Sequence, residues 1–260
     1  MLNKVGHFWR VFGTGLGFLA VGIGGVIVFP VLNVLIRRRE RRTAMARDLI
    51  GFTFRCIVRS MRAMGVFQYE FKGSEKLQRE GLLILANHPT LIDIVFLMAF
   101  ARRASCIVKS ALSRNPFTHA TVHAASFVRN DDDSVGLIDD CVAAIRGGNT
   151  LIIFPEGTRT PADGSISLKR GAANVAIRAS RNITPVLIRC RPAMLAKGVR
   201  WWRLPSPASQ FRIEVKEDID IQPFLGCAGS EALAARHLTE HLQSYFTREK
   251  PPPCRRLKMK

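Results

Sequence analysis

The chain reads as an α/β sandwich built on a largely parallel or mixed sheet, preceded by a membrane-associated helical element. Three observations predict this. From Phe67 to about Thr247, short apolar runs rich in β-branched residues alternate with longer segments of helical period, the pattern of strands joined by crossover helices. Two of those runs, Leu82–Ala86 and Thr150–Phe154, are followed within a residue or two by proline-containing polar turns, as expected of strands buried on both faces. Ahead of them, Val11 to Ile36 holds no charged residue over a length that can cross a bilayer.

The N-terminal element, residues 1–66, has two parts. The uncharged stretch is too long for the core of a signal peptide and is followed at once by Arg37, Arg38, Arg39, Arg41 and Arg42, against only Lys4 and Arg10 before it. The positive-inside rule places everything after Ile36 on the cytoplasmic side. Six glycines and Pro30 in the stretch leave a true span and a re-entrant hairpin both open. Next, Thr43 to Val66 has helical period, with Ile50, Phe54, Ile57 and Met61 on one face and Arg55, Arg59 and Arg62 on another. Beside an apolar anchor, this predicts a basic helix lying in the headgroup layer.

In the second part, residues 67–247, the candidate strands are Gln68–Lys72, Leu82–Ala86, Ser105–Val108, Ala125–Val128, Thr150–Phe154, Thr184–Cys190 and Phe211–Val215. Candidate helices are Leu91–Arg102, Ser134–Arg146, Lys169–Arg178 and Ser230–Phe246. The segment Lys197 to Arg203 sets Trp201 and Trp202 among basic residues, suited either to a bilayer interface or to a loop with a half-buried aromatic pair. The tail, residues 248–260, is basic and proline-rich and reads as disordered.

At 260 residues and 29.0 kDa the chain holds one ordinary domain and an appendage, and a formal net charge of +19 requires an acidic partner. No zinc-finger spacing or aromatic RNA-binding signature accompanies that charge, so an anionic membrane is preferred to nucleic acid. The six cysteines are scattered without a C-x-x-C or metal-ligand cluster, the usage of reduced thiols and not of a disulfide framework.

The most informative segment is Leu83-Ile84-Leu85-Ala86-Asn87-His88-Pro89-Thr90-Leu91-Ile92-Asp93. Pro89 disfavours helical geometry at His88 and suits the first turn of a helix. His88 therefore sits at a strand-to-helix turn, from which Asp93, early in the helix, can reach the ring. A histidine oriented by a carboxylate is equipped to take a proton from a hydroxyl. The second segment is Phe154-Pro155-Glu156-Gly157-Thr158-Arg159. Gly157 lets a ligand approach the backbone, and Arg159 offers a planar fork for a phosphate. Glu156 either binds an acceptor hydroxyl or braces Arg159.

Together NHPTLID and FPEGTR resemble the first and third motifs of the lysophospholipid acyltransferase superfamily, typified by bacterial 1-acylglycerol-3-phosphate acyltransferases. Two looser blocks are similar to the second and fourth motifs. His123-Ala124-Ala125-Ser126-Phe127-Val128-Arg129 ends in the expected arginine, with alanine near the family's glycine and the phenylalanine one position closer to Arg129 than usual. Pro185 precedes a strand as the fourth motif requires, and Lys109 resembles a family lysine near the phosphate. The resemblance implies a glycerolphosphate-acyltransferase-like fold and transfer of a fatty acyl group from acyl coenzyme A or acyl carrier protein, a cosubstrate and not a bound cofactor, to a lysophospholipid hydroxyl. It implies His88 and Asp93 as catalytic residues, with Arg159, Glu156, Gly157, Arg129 and Lys109 around the acceptor, and a place at the cytoplasmic face of a membrane. No metal is implied. No G-x-S-x-G elbow is present, which favours direct attack over an acyl-enzyme. The competing readings are the same chemistry on another acceptor, such as a lyso-ornithine lipid, and a non-catalytic basic protein binding membrane or nucleic acid.

Overall fold

A computed structural model describes residues 2–131, 133–161, 165–226 and 229–249 of the chain. The expected tail, residues 248–260, lies almost wholly outside them, as do Cys227 and Cys254. One long helical rod opens the chain: α1 (Leu2–Ile23), a π-helical turn (Gly24–Val28) and α2 (Phe29–Leu35). After a break at residues 36–38, α3 (Arg39–Ala63) runs back beside it. The remaining elements are β1 (Phe67–Lys72), β2 (Leu83–Ala86), α4 (Asp93–Phe100), β3 (Ser105–Lys109), α5 (Ser110–Arg114), α6 (His119–Ala124) and β4 (Val128–Asn130), followed by α7 (Ser134–Arg146) and β5 (Leu151–Ile153). The chain then forms α8 (Gly171–Ala179), β6 (Ile183–Arg191), β7 (Ser209–Val215), α9 (Gln222–Gly226) and α10 (Glu231–Arg248).

The seven strands form one mixed sheet in the order β1-β7-β6-β2-β5-β3-β4. All pairs are parallel except β6 with β7. Alternation along the central strands divides the interior into two layers. Ile84 and Ala86 of β2, with Ile152 of β5 and Val186 and Ile188 of β6, face a core shared with α3 and α4. Leu83, Leu85, Leu151, Ile153, Ile183 and Leu187 face a second core closed by α7, α8 and α10. Asp133 caps α7 by accepting from the Val135 N–H, and Ser230 caps α10 by accepting from Leu233.

Two expectations are corrected. The strand anticipated at Ala125–Val128 begins at Val128, because His119–Ala124 forms α6 and Ser126, at φ +48°, turns the chain before pairing with β3 starts. Nor does the apolar face of the basic helix lie free for a headgroup layer. Ile50, Ile57 and Met61 of α3 are buried, and this face packs on α4. Arg47 of the same helix is buried too, its guanidinium donating to the carbonyls of Ala125 and Ser126 and to Asn149 Oδ1.

The first rod is docked along its length. Arg10 donates to Pro205 O near one end and Asn33 to Ala120 O near the other. Between them, a side chain at Gly13 would strike Met64, and one at Gly25 would meet Phe117 O at 1.7 Å. These glycines let the rod lie against the body. Its outer face, including Phe8, Trp9, Phe12, Leu19, Ile27 and Leu35, is exposed.

Candidate active site

The site forms where β2 and β5 end. Asn87, the first residue beyond β2, brackets the neighbouring strand: its amide donates to Ile188 O and accepts from Ile188 N, each at 2.8 Å. The chain is thereby held as it leaves the sheet, and His88 projects at the strand end. His88 Nδ1 lies 2.9 Å from Asp93 Oδ2. Asp93, fully buried at the start of α4, also accepts from the Thr90 N–H at 2.6 Å and from Thr90 Oγ1 at 2.5 Å. Burial pushes the Asp93 carboxyl up, and the contacts with His88 and Thr90 oppose that shift. This arrangement orients the ring by the donation Nδ1–H to carboxylate. Among the described residues, no hydrogen bond engages Nε2.

The FPEGTR turn supports the same histidine from the other side. Phe154 stacks on the imidazole, with centroids 4.0 Å apart and planes inclined by 16°. Glu156 is buried and points inward, accepting from the His88 N–H at 3.0 Å and from Thr160 Oγ1 at 2.8 Å. The Thr160 N–H in turn donates to His88 O at 2.7 Å. Burial raises the Glu156 carboxyl, and these two donors counter it. Glu156 therefore braces the His88 backbone through Oε1; Arg159, which it was expected to brace as one alternative, instead donates to backbone carbonyls. Gly157 adopts φ +69°, and a Cβ there would come within 3.1 Å of the Lys169 ammonium, which folds over the turn.

Arg159 donates through Nη1 to Leu195 O (3.0 Å) and Ala196 O (3.1 Å). Leu195 O also accepts from the Leu91 N–H at 3.2 Å, so the two motif turns share one carbonyl. Register places Lys109 at the sheet level of Asn87, two strand steps away across β5, or about 10 Å. Arg129 is not brought to His88. It stands on edge strand β4, one strand farther out, half-exposed and 3.7 Å from Asp131. Thr90, Thr160 and Phe154 are the supporting residues that sequence reasoning passed over. For Thr90 a signal existed, since Thr90-x-x-Asp93 before an apolar run is a capping-box pattern.

The site thus sets a histidine against a buried carboxylate at the C-terminal ends of parallel strands, a pair chemically able to take a proton from a hydroxyl. A family model described as acyltransferase matches residues 68–189. A putative 1-acyl-sn-glycerol-3-phosphate acyltransferase, acl-2, from Caenorhabditis elegans is 33% identical over 44% of this chain and 43% of its own length. The 1-acyl-sn-glycerol-3-phosphate acyltransferase of Helicobacter pylori is 26% identical over 72% of this chain and 75% of that protein. This chain thus spans under half of the first relative and three quarters of the second. The fold is similar to the crystal structure of PlsC, the 1-acyl-sn-glycerophosphate acyltransferase from Thermotoga maritima, with a TM-score of 0.66 at 20% identity over 92% of this chain and 95% of that one. Over residues 68–189 the chain is thus similar to the acyltransferase family.

Proposed function

We propose that this protein moves a fatty acyl group from an acyl thioester, carried on coenzyme A or acyl carrier protein, to the free hydroxyl of a lysophospholipid. The acceptor is 1-acylglycerol-3-phosphate and the product phosphatidate, a reading supported by the names of the relatives and by an arginine at the rim of the site. The observation that carries the proposal is the His88–Asp93 pair, braced by Thr90, Glu156 and stacked Phe154. Mere binding of a lipid or nucleic acid requires no such pair.

His88 Nε2 takes the hydroxyl proton as the oxygen attacks the thioester carbonyl. Asp93 stabilises the imidazolium, which returns the proton to the departing thiolate as the tetrahedral intermediate collapses. Arg159 uses one nitrogen to hold residues 195–196; its Nε and Nη2 are left to clamp the acceptor's phosphate and so position the hydroxyl. Lys109 adds positive charge from two strands away.

The rod supplies the membrane anchor. Gly6–Leu35 is long and apolar enough to cross a bilayer, but its docking from Arg10 to Asn33 favours a helix lying within one leaflet, with the exposed face in lipid. The arginines that follow Ile36 assign that leaflet to the cytoplasmic side.

Replacing His88 tests the core of the proposal. His88→Ala is expected to lower acyl transfer by about 10²–10⁴ while leaving circular dichroism and membrane binding unchanged, since the ring is a partly exposed group at a strand end. A variant within about tenfold of wild type rules out the general-base role.

A further inference from the structure

The connection between β6 and β7 is long for two adjacent antiparallel strands, and long loops in compact domains tend to be functional. Its inner side is fixed. Met194, Leu195 and Leu204 are buried in the core beneath the rod. Leu195 is held at φ +50°, a conformation that disfavours a leucine. Its carbonyl takes two donors at once: the Leu91 N–H, from the turn between His88 and Asp93, and Arg159. The outer side has the opposite character. Val199, Trp201 and Trp202 are exposed by 45%, 40% and 43%. The two indoles meet edge to face, and Arg200 lies over Trp202 at 5.3 Å.

The same segment is tied to the apolar rod. Trp201 packs edge-on against Phe18 at 6.0 Å and lies over Gly15, and Pro205 O accepts from Arg10 at 2.6 Å. The exposed indoles therefore continue the rod's exposed apolar face. Amphipathic aromatic rings interleaved with arginine and lysine suit the headgroup level of a bilayer, and continuity with the rod selects a lipid surface over a protein partner.

We propose that residues 192–205 form a membrane-seated strap. Its Trp201–Trp202 edge inserts at the lipid interface, and through Leu195 O this contact sets the positions of Leu91 and Arg159. Seating the strap on lipid holds Leu195 in its strained conformation and keeps both motif turns in register; with the strap unseated, the shared carbonyl is free to shift. Trp201 and Trp202 are then positioning residues. This rests on the acyltransferase reading of the site for its catalytic part, while lipid contact stands apart from it.

The experiment separates the two. Trp9 is the third and last tryptophan of the chain, so a full-length Trp9→Phe protein reports only the strap. Vesicles of phosphatidylcholine with phosphatidylglycerol, brominated near the top of the acyl chains, are expected to quench its fluorescence. Trp202→Ser, which disturbs no contact with the rod, is expected to lower transfer to an acceptor embedded in vesicles by about tenfold, the equivalent of one modest interfacial contact. Transfer to a short-chain monomeric acceptor should stay within about twofold of wild type. Absence of quenching overturns the strap whatever the activity proves to be. An equal fall on both acceptors also overturns it, because the tryptophan would then serve only the fold. If the wild-type protein transfers no acyl group, the reading of the site fails, and quenching alone decides the lipid contact.

Discussion

At the scale of single residues, the site is a set of buried acids whose partners determine what they do. Thr90 supplies two of the three hydrogen bonds to the Asp93 carboxylate, one from the backbone and one from the hydroxyl. Thr90→Val removes only the hydroxyl bond and leaves Asp93 Oδ1 without a donor in a dry site. A loss of about 1–3 kcal/mol in stability by urea unfolding is expected, with a smaller fall in transfer than His88→Ala. No change in the unfolding midpoint would show that the hydroxyl bond is unimportant. Glu156 makes a different prediction, through pH. Burial raises its carboxyl in the folded chain, so between its unfolded and folded pKa the folded state binds more protons than the unfolded one. Stability therefore falls as pH rises through that window. Glu156→Gln keeps an oxygen to accept from His88 N and Thr160 Oγ1 but cannot ionise. The stability of this variant relative to wild type is expected to be constant below the ordinary glutamate pKa of about 4.3 and to grow as pH rises above it, until the folded carboxyl has ionised. Thermal unfolding of both proteins across pH checks this, and a difference that shrinks with rising pH refutes it.

At the scale of elements, strands buried on both faces were legible because they carry continuous apolar runs; β2 and β5 lie within a residue of their expected ends. The strand-to-helix turn at His88 was legible for a similar reason: proline, a histidine and an offset of five residues constrain the geometry locally. What stayed hidden depended on distant partners. The segment before β4 is rich in alanine and has neither a clear helical nor an alternating period, so α6 is not anticipated and the expected strand starts three residues ahead of β4. The inward direction of Glu156 and the role of Leu195 rest on backbone groups, which sequence does not distinguish. Arg159 shows the consequence. Read alone it is a phosphate ligand, yet the structure also makes it a clasp on the strap. Arg159→Ala should therefore raise the Michaelis constant for the acceptor and also speed tryptic cleavage at Lys197, Arg200 or Arg203. Arg159→Lys should restore part of the first effect, since an ammonium cannot reproduce the bidentate fork. Unchanged proteolysis would remove the clasp from the account.

At the scale of the whole molecule, the proposed membrane attachment would rest on two forces, and salt separates them. The exposed apolar face of the rod supplies insertion, which does not depend on ionic strength. The net charge of +19 supplies attraction to anionic lipid, worth about 1 kcal/mol per basic residue near the surface and shortened in reach by salt. From sequence alone the rod is a detachable anchor. The structure changes the expected result of removing it, because Gly13 and Gly17 seat it on Met64, Ile57 and Met61, residues of the main body. Deleting residues 1–36 would uncover those side chains as well as free the protein from the bilayer. The full-length protein is expected to stay on neutral and anionic vesicles through a wash at about 1 M salt and to come off only in detergent. The truncated protein should bind anionic vesicles alone, leave them as salt rises, and unfold at a lower temperature than the full chain because part of its core lies open to water. Vesicle sedimentation across a salt series, paired with thermal unfolding of both proteins in the same detergent, distinguishes the outcomes. Release of the full-length protein by salt would mean that charge and not insertion holds it. An undiminished unfolding temperature after truncation would mean that the rod rests on the body without supporting it.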